Sequence, residues 1–499
     1  MSGPAGGADA PAPAAGRYQQ QLARTLRVAG NITITLSVIG PAASVFAIGS
    51  IALRQQGSGA FLTFLAAALI SGCLAVGWAE LGALYPTAGG LYGIVARVLG
   101  RRAGFLALTL QLALFVIVPS AFALAAGQYL NAVWPAVSPR TAALVLLAAA
   151  AALALLGIRF NAAVAAALLA LELTIILVVS ALGFAHADWS LAGTLIDPRV
   201  YAANGSAAPA TLRMLLAGVA LGLGAYAGYG GAVIFSEETQ GPRRGIARAV
   251  LVPLGVAVVA ELVAITAALL GAPSQARLTT APAPMSYLVR ALGGDRLVTV
   301  VTLALVATFF NILLAVLLEY ARILYSSGRD RAWPEPLSRA LCRIHPTTRT
   351  PVVASLAIGA AALTLTAVSD YAAAVTFASL TVVATFALIA LSALVSRLRA
   401  PHLARPYRMP LWPLPPVVAL AGVAVTVLLQ TGVDLAVVAG ILAAGLLYDA
   451  LYLRPRRDTH WVLLDPLVDE PDTALGANLI PNGGGTGPGP VGGLPKGRT

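Results

Sequence analysis

Long apolar runs, parted by short loops that carry most of the arginines, organise the chain from residue 31 to residue 452. Runs of about 20 apolar residues are what an α-helix needs to cross a hydrocarbon core of about 30 Å. About twelve spans are predicted, at roughly 31–52, 60–84, 103–133, 141–158, 162–184, 213–236, 246–271, 297–326, 350–368, 370–396, 414–431 and 433–452, with Pro253 near the start of the seventh. The pattern therefore predicts an all-α integral membrane protein.

Two of these runs are interrupted. Leu221–Glu238 reads LGLGAYAGYGGAVIFSEE, with five glycines in the ten residues from Gly222 to Gly231. Each glycine costs about 1 kcal/mol in a helix interior relative to alanine. Such a cluster serves either an unwound segment at Tyr226–Gly231, lining a substrate site, or close packing of helices through small residues. The first span, NITITLSVIGPAASVFAIGSIA from Asn31 to Ala52, carries Gly40-Pro41 near its centre. Proline lacks an N–H and clashes with the preceding turn, so a break is expected there. If spans one to five and six to ten are repeats (about 31–184 and 213–397), the interruptions occupy corresponding positions. With five spans each, one half is inverted relative to the other. Paired interruptions of this kind point to the binding site of a secondary transporter.

Composition agrees: of 499 residues 59% are hydrophobic and 10% charged, and the mean hydropathy is +0.84. A soluble domain carries about 25% charged residues. The net charge of +12 could suggest nucleic acid, but its distribution indicates membrane topology instead. Arg54, Arg140, Arg199, Arg213, Arg277, Arg290 and Arg296 fall in one set of loops, and the other set holds most of the rest. The positive-inside bias then places both termini in the cytoplasm of a cell-membrane protein. Cys73 and Cys342 are isolated, and His186, His345, His402 and His460 are scattered, so neither a disulfide framework nor a metal site is expected. There is no GxxxxGK[ST] loop for ATP, and no cofactor or enzymatic constellation is expected. The Ala/Gly/Pro-rich stretch 1–30 lacks the form of a signal peptide, and 453–499 ends Gly/Pro-rich. Both read as disordered cytoplasmic tails, while 398–452 supplies the last two spans.

After span two, Leu91, Tyr92, Ile94, Val95, Val98 and Leu99 precede Arg101 and Arg102 and predict a short helix lying at the inner membrane interface. The surrounding segment ELGALYPTAGGLYGIVARVLGRRAGF resembles the one that follows the second span in the amino acid–polyamine–organocation permeases. So does GYGGAVIFSEETQGPRRGIARAVL (228–251) in span six and beyond, and so, less specifically, do ARILYSSGRDRAWP (321–334) with TRTP (348–351), and RPYRMPLWPLPP (405–416). The resemblance implies a five-plus-five inverted repeat with broken helices 1 and 6, two further C-terminal helices, and amino acids, polyamines or related amines as substrates. It further implies that Ile39, Gly40, Pro41, Ala42, Ala43 and Ser44 offer amides to a substrate carboxylate. Ala225, Tyr226, Ala227 and Gly228 would then offer carbonyls to its amine, as the exposed ends of a broken helix allow. Tyr226 and Tyr229 would add aromatic faces. Two positions depart from the family pattern: Pro41 removes one amide, and Gly230 stands where many relatives carry an acid, leaving room for a larger substrate.

Acids elsewhere are candidates for ion coupling, because a charge inside the bilayer costs at least about 2.5–3.5 kcal/mol and is kept for use. They are Glu172 in span five, Glu261 in span seven and Glu319 in span eight; Glu319 also stands three residues before Arg322, the spacing of a local ion pair. Glu80, Arg97, Glu237, Glu238, Arg243 and Arg329 gather at the inner ends of spans and could form a gate. The sequence thus reads as a secondary active permease for an amino acid or related amine, a proton-coupled symporter or an exchanger. A polyamine or organocation transporter, or a non-transporting sensor of the same fold, is the alternative. The expected partners are a small-molecule substrate, lipid and protons, not nucleic acid.

Overall fold

A computed structural model describes residues 22, 24–202, 204–430 and 432–463. The expected tails thus fall mostly outside the described residues. Helix is the dominant element. The first span is two helices, α1 (Val28–Ile39) and α2 (Pro41–Ser44), and the second half continues through a π-type turn at Val45–Gly49 into α3 (Ser50–Gln56). Gly57–Gly59 reverses the chain into α4 (Ala60–Leu84), which is followed by the short α5 (Gly90–Val98) and by α6 (Arg101–Val133), α7 (Pro139–Ala154) and α8 (Ile158–Ala185).

The connection to span six holds α9 (Leu191–Leu195) and a feature the sequence pattern does not predict, a two-stranded antiparallel hairpin of β1 (Arg199–Tyr201) and β2 (Ala207–Pro209). Span six is α10 (Leu212–Ala225), five turn residues, and α11 (Gly231–Ile234) with a 3-10 turn to Glu238. Then come α12 (Pro242–Gly271), α13 (Gln275–Thr280) and α14 (Pro284–Arg329). The last is bent at Gly294, whose φ of 77° no helix tolerates. The chain ends its described part with α15 (Glu335–Leu341), α16 (Val352–Val368), α17 (Tyr371–Arg399), α18 (Leu414–Leu428) and α19 (Gly432–Tyr448).

Among the described residues seven helical runs are long and apolar enough to cross a membrane. The first of them, Val28–Leu84, contains the reversal at Gly57, and four shorter apolar helices accompany the seven. Large apolar side chains such as Leu69, Leu177, Val259, Val300 and Leu428 stand exposed around the outside. In a soluble protein these would be a liability; against lipid they are the expected finish. The protein is therefore an all-α, multi-pass membrane protein.

Two local expectations are corrected. Pro253 does not begin the seventh helix, which starts at Pro242 and runs through Pro253 without ending. Residues Gly90–Val98 do form the short helix, yet Leu91, Tyr92, Ile94 and Val95 are fully enclosed. The helix is packed under α6 and α17 rather than laid on headgroups. Its apolar run reads the same in either setting, because composition cannot tell lipid from neighbouring helix.

Candidate functional site

The two interruptions meet. Helix α1 ends at Gly40, which turns left-handed (φ 61°, ψ 66°) so that Pro41 can start the second half with the φ it already has. In span six, Tyr226–Gly230 leave the helix, and Gly228 takes φ 122°. A side chain on Gly228 would come within 3.1 Å of the Ile39 nitrogen and 2.8 Å of Val38 Cγ1. Only glycine lets the backbones approach this closely. Ser44 ties the breaks together: its hydroxyl lies 3.1 Å from the Ile39 carbonyl oxygen and 3.2 Å from that of Ala225, both of which it can serve as donor.

A cavity of about 150 Å³ opens beside this junction, walled by α1, α4, α6, span six, α14 and α17. Of the residues expected at the substrate, Ile39, Ala227, Gly228, Tyr229 and Gly230 line it. The others do not. Gly40, Pro41, Ala42, Ala43 and Ser44 lie behind the wall, as do Ala225 and Tyr226; the Tyr226 ring sits edge-on against Phe64 with centroids 5.9 Å apart. Tyr229 faces the cavity and stacks on Phe386. The remaining wall is contributed by residues that local motifs do not mark, among them Trp78, Phe115, Phe122, Tyr320 and Phe386. The space beside Gly230 is not free for a larger substrate: a β-carbon there would stand 2.9 Å from the Trp78 ring.

Three acids lie within the spans. Glu172 on α8 reaches the start of the resumed helix, where its Oε1 accepts the Ala42 N–H at 3.0 Å. This amide, freed by the break, thus already holds a carboxyl group of the chain itself. Glu261 on α12 is fully buried, and neither of its oxygens has a hydrogen-bond partner among the described residues. Glu319 on α14 lines the cavity, 8% exposed, with its carboxyl group against Gly231. It does not pair with Arg322. That guanidinium turns away to Glu238, donating from Nε to Oε2 and from Nη2 to Oε1 at 3.0 Å, and also to the Leu318 carbonyl. Spacing on one helix identifies neighbours that could pair, but Glu238 arrives from a distant part of the chain. Hydroxyls near the break are engaged within the protein: Ser37 accepts from Asn311, and Thr308 donates to Leu305.

At the arginine-rich end the acids are held in buried ion pairs. Arg329 pairs with Glu237 at 2.9 Å, and Glu80 binds both Arg397 and Arg405 and accepts the Met409 N–H. Of the six candidates for a gate, Glu80, Glu237, Glu238 and Arg329 make such pairs, and Arg97 lies close enough to Asp330 to act on its charge. Arg97 donates to the Gly93 carbonyl and stands over the Tyr85 ring, while Arg243 makes no ion pair with a described residue. Arg322, Arg397 and Arg405 complete these pairs and lie outside the expected gate, although Arg322 stands in the ARILYSSGRDRAWP segment and Arg405 in RPYRMPLWPLPP. Tyr92 adds a further tie, its hydroxyl 2.8 Å from Asp330 Oδ2 and 2.7 Å from Ser326 Oγ. Burial pushes the Asp330 carboxyl above its usual range, against the opposing pull of Arg329, Tyr92 and Arg97.

A multi-pass helical bundle with a solute-sized cavity at two facing helix breaks, and with buried ion pairs at its arginine-rich end, has the build of a membrane carrier. The chain belongs to the amino acid permease family, whose model matches residues 30–445, within the amino acid–polyamine–organocation superfamily. It is 31% identical over 378 residues to an uncharacterised transporter of Mycobacterium tuberculosis, covering 75% of this chain and 80% of that one. It is 27% identical over 371 residues to cationic amino acid transporter 4 of Mus musculus (70% and 56%). With the branched-chain amino acid permease BcaP of Lactococcus lactis the figure is 25% over 334 residues (63% and 70%).

Proposed function

We propose that this permease is a secondary active transporter that carries an amino acid or related amine across the cytoplasmic membrane by alternating access. The observation that carries the reading is the cavity at the junction of the two breaks, bordered by Ile39 and Ala227–Gly230. The arginine-rich end is the cytoplasmic one in this reading, with both termini there, since arginines are retained inside. Spans one to five (31–184) and six to ten (213–397) form the inverted repeats, and 398–452 packs outside them. The names of relatives support a small solute with an amino group: one is a cationic amino acid transporter, another a branched-chain amino acid permease.

Breaking the ion pairs of Glu80, Glu237, Glu238 and Arg329 would open the inner path, with spans one and six rocking against their neighbours. Glu172 and Glu261 are the groups proposed for proton coupling. Both are enclosed in the bundle with no cationic partner among the described residues, and a charge kept unpaired at that depth is costly. Taking up and releasing a proton there would change the hold of Glu172 on the Ala42 amide, and with it the break in span one.

The test is flux in proteoliposomes, with purified protein, a pH gradient, and labelled amino acids and amines. Accumulation or exchange of at least one of them is expected, with Glu172→Gln losing its dependence on the pH gradient. Absence of flux for the whole panel would reject the reading.

A further inference from the structure

We propose that the solute carried in this cavity is an apolar amine without a neighbouring carboxylate, its ammonium group held by Glu319; this rests on the transporter reading of the same cavity.

Three observations converge. Glu319 is the one charged side chain among the described residues that line the cavity. It is more than nine-tenths buried, and among the described residues it has no hydrogen-bond or ion-pair partner; its Oε2 is wholly enclosed and unsatisfied. The cation nearest along the helix, Arg322, is committed to Glu238 and to the Leu318 carbonyl. A buried carboxyl group without a partner calls either for a proton or for a cation, and the cavity is where a cation can arrive.

The second observation is the fate of the amide that a substrate carboxylate would use. The Ala42 N–H is already given to Glu172, and none of Gly40–Ser44 borders the cavity. The start of the other resumed half-helix, at Gly231, has the Glu319 carboxyl against it. The break in span one therefore presents one of the chain's own acids where an amino acid would bring its negative group, and at the break in span six the nearby acid is Glu319. With no Lys, Arg or His lining the space, a ligand carboxylate would meet Glu319 and no compensating charge.

The third is the wall. Trp78, Phe115, Phe122, Tyr229, Tyr320 and Phe386 surround the space. Aromatic faces attract an ammonium group and bury an apolar body, and they offer nothing to a second charged group. The chemical class that fits is a primary or secondary monoamine with a hydrocarbon or aryl body, such as a decarboxylated amino acid.

The experiment uses the full-length protein in nanodiscs and pairs of compounds that differ by the carboxylate alone: phenethylamine with phenylalanine, isoamylamine with leucine, isobutylamine with valine. Calorimetry gives Kd, and proteoliposome uptake gives flux for the same pairs. At least one apolar amine is expected to bind at least about tenfold tighter than its amino acid, a difference of about 1.4 kcal/mol. Glu319→Gln should lose at least that factor for the amine, with Glu319→Asp, which keeps the charge on a shorter arm, falling between. The Asp variant serves alone if the Gln variant does not fold. Amino acids binding as well as their amines in all three pairs, or an amine affinity indifferent to both substitutions, would overturn the proposal. Flux of amino acids with no preference for amines would overturn it while leaving the transporter reading standing. No flux for either member of any pair would remove both.

Discussion

Gly228, Gly230 and Gly231 belong to one glycine cluster, yet each is glycine for a different reason. Gly228 needs its left-handed φ and its approach to Ile39. Gly228→Ala would strain the backbone and push the two breaks apart, so ligand binding should be lost even where the protein still inserts; calorimetry on the purified variant checks this. A methyl group at Gly230 would strike the Trp78 ring, which has little room to give, and overpacking of that kind costs about 1–3 kcal/mol. Gly231→Ala would meet only the carboxyl end of Glu319, at 2.8 Å, and that flexible end can move. Melting curves should therefore fall for Gly230→Ala and hold for Gly231→Ala, while amine affinity should change in the latter. Sequence made the cluster visible because glycine is expensive inside a helix. It did not reveal Trp78, which reaches Gly230 from another helix, and so the space looked open to substrate. Glu172 shows the same limit, since its depth in span five was readable but its bond to Ala42 was not. Removing that carboxyl group in Glu172→Ala should leave the buried Ala42 amide without its acceptor and lower stability by about 1–3 kcal/mol, read from a melt of the purified variant.

At the scale of elements, span positions were readable from hydrophobic length because lipid imposes it, and both helix breaks were readable from Gly and Pro chemistry. The pairing of charges between elements was not. Glu319 and Arg322 stand at the local spacing of an ion pair, but α14 turns Arg322 toward the 3-10 turn that follows α11, where Glu238 is buried with it. The i,i+3 rule describes an exposed helix surface, and here a buried partner on another element offers two hydrogen bonds instead of one contact. This pair joins span six to α14 at the arginine-rich end. Glu238→Gln would leave Arg322 charged and enclosed, at a cost of about 3–5 kcal/mol. The double variant Glu238→Gln/Arg322→Met removes both charges and should recover most of that loss in a thermal or denaturant melt. If the pair closes the inner path, the double variant should also exchange substrate faster than wild type or leak it.

In the whole molecule the arginine-rich end is covered by both extremities of the described chain. Leu26 exchanges backbone hydrogen bonds with Glu238 and Gln240, next to the acids of the ion pairs. From the other extremity Trp461 is buried against Tyr92 and Phe105, and its indole donates to the Arg101 carbonyl at 2.8 Å. Its backbone N–H and that of Val462 bond to the carbonyls of Arg331 and Asp330. The same end carries α15, which packs under the end of α14 and has Cys342 at its C-terminal cap. Burial pushes the Cys342 thiol up to about 11. At pH 7.5 only about one thiol in three thousand would then be the reactive thiolate, against about one in ten for a free cysteine with pKa near 8.5. In a Cys73→Ser background, alkylation of the otherwise wild-type protein should be slow and should quicken as pH rises toward 11. Trp461→Ala removes a cover from this end and should raise the labelling rate at neutral pH by about tenfold or more, toward that of an exposed thiol. A saturating solute that holds the cavity closed should restore slow labelling. Equal rates in wild type and Trp461→Ala, with and without solute, would mean that Cys342 and the segment around Trp461 do not move in the transport cycle.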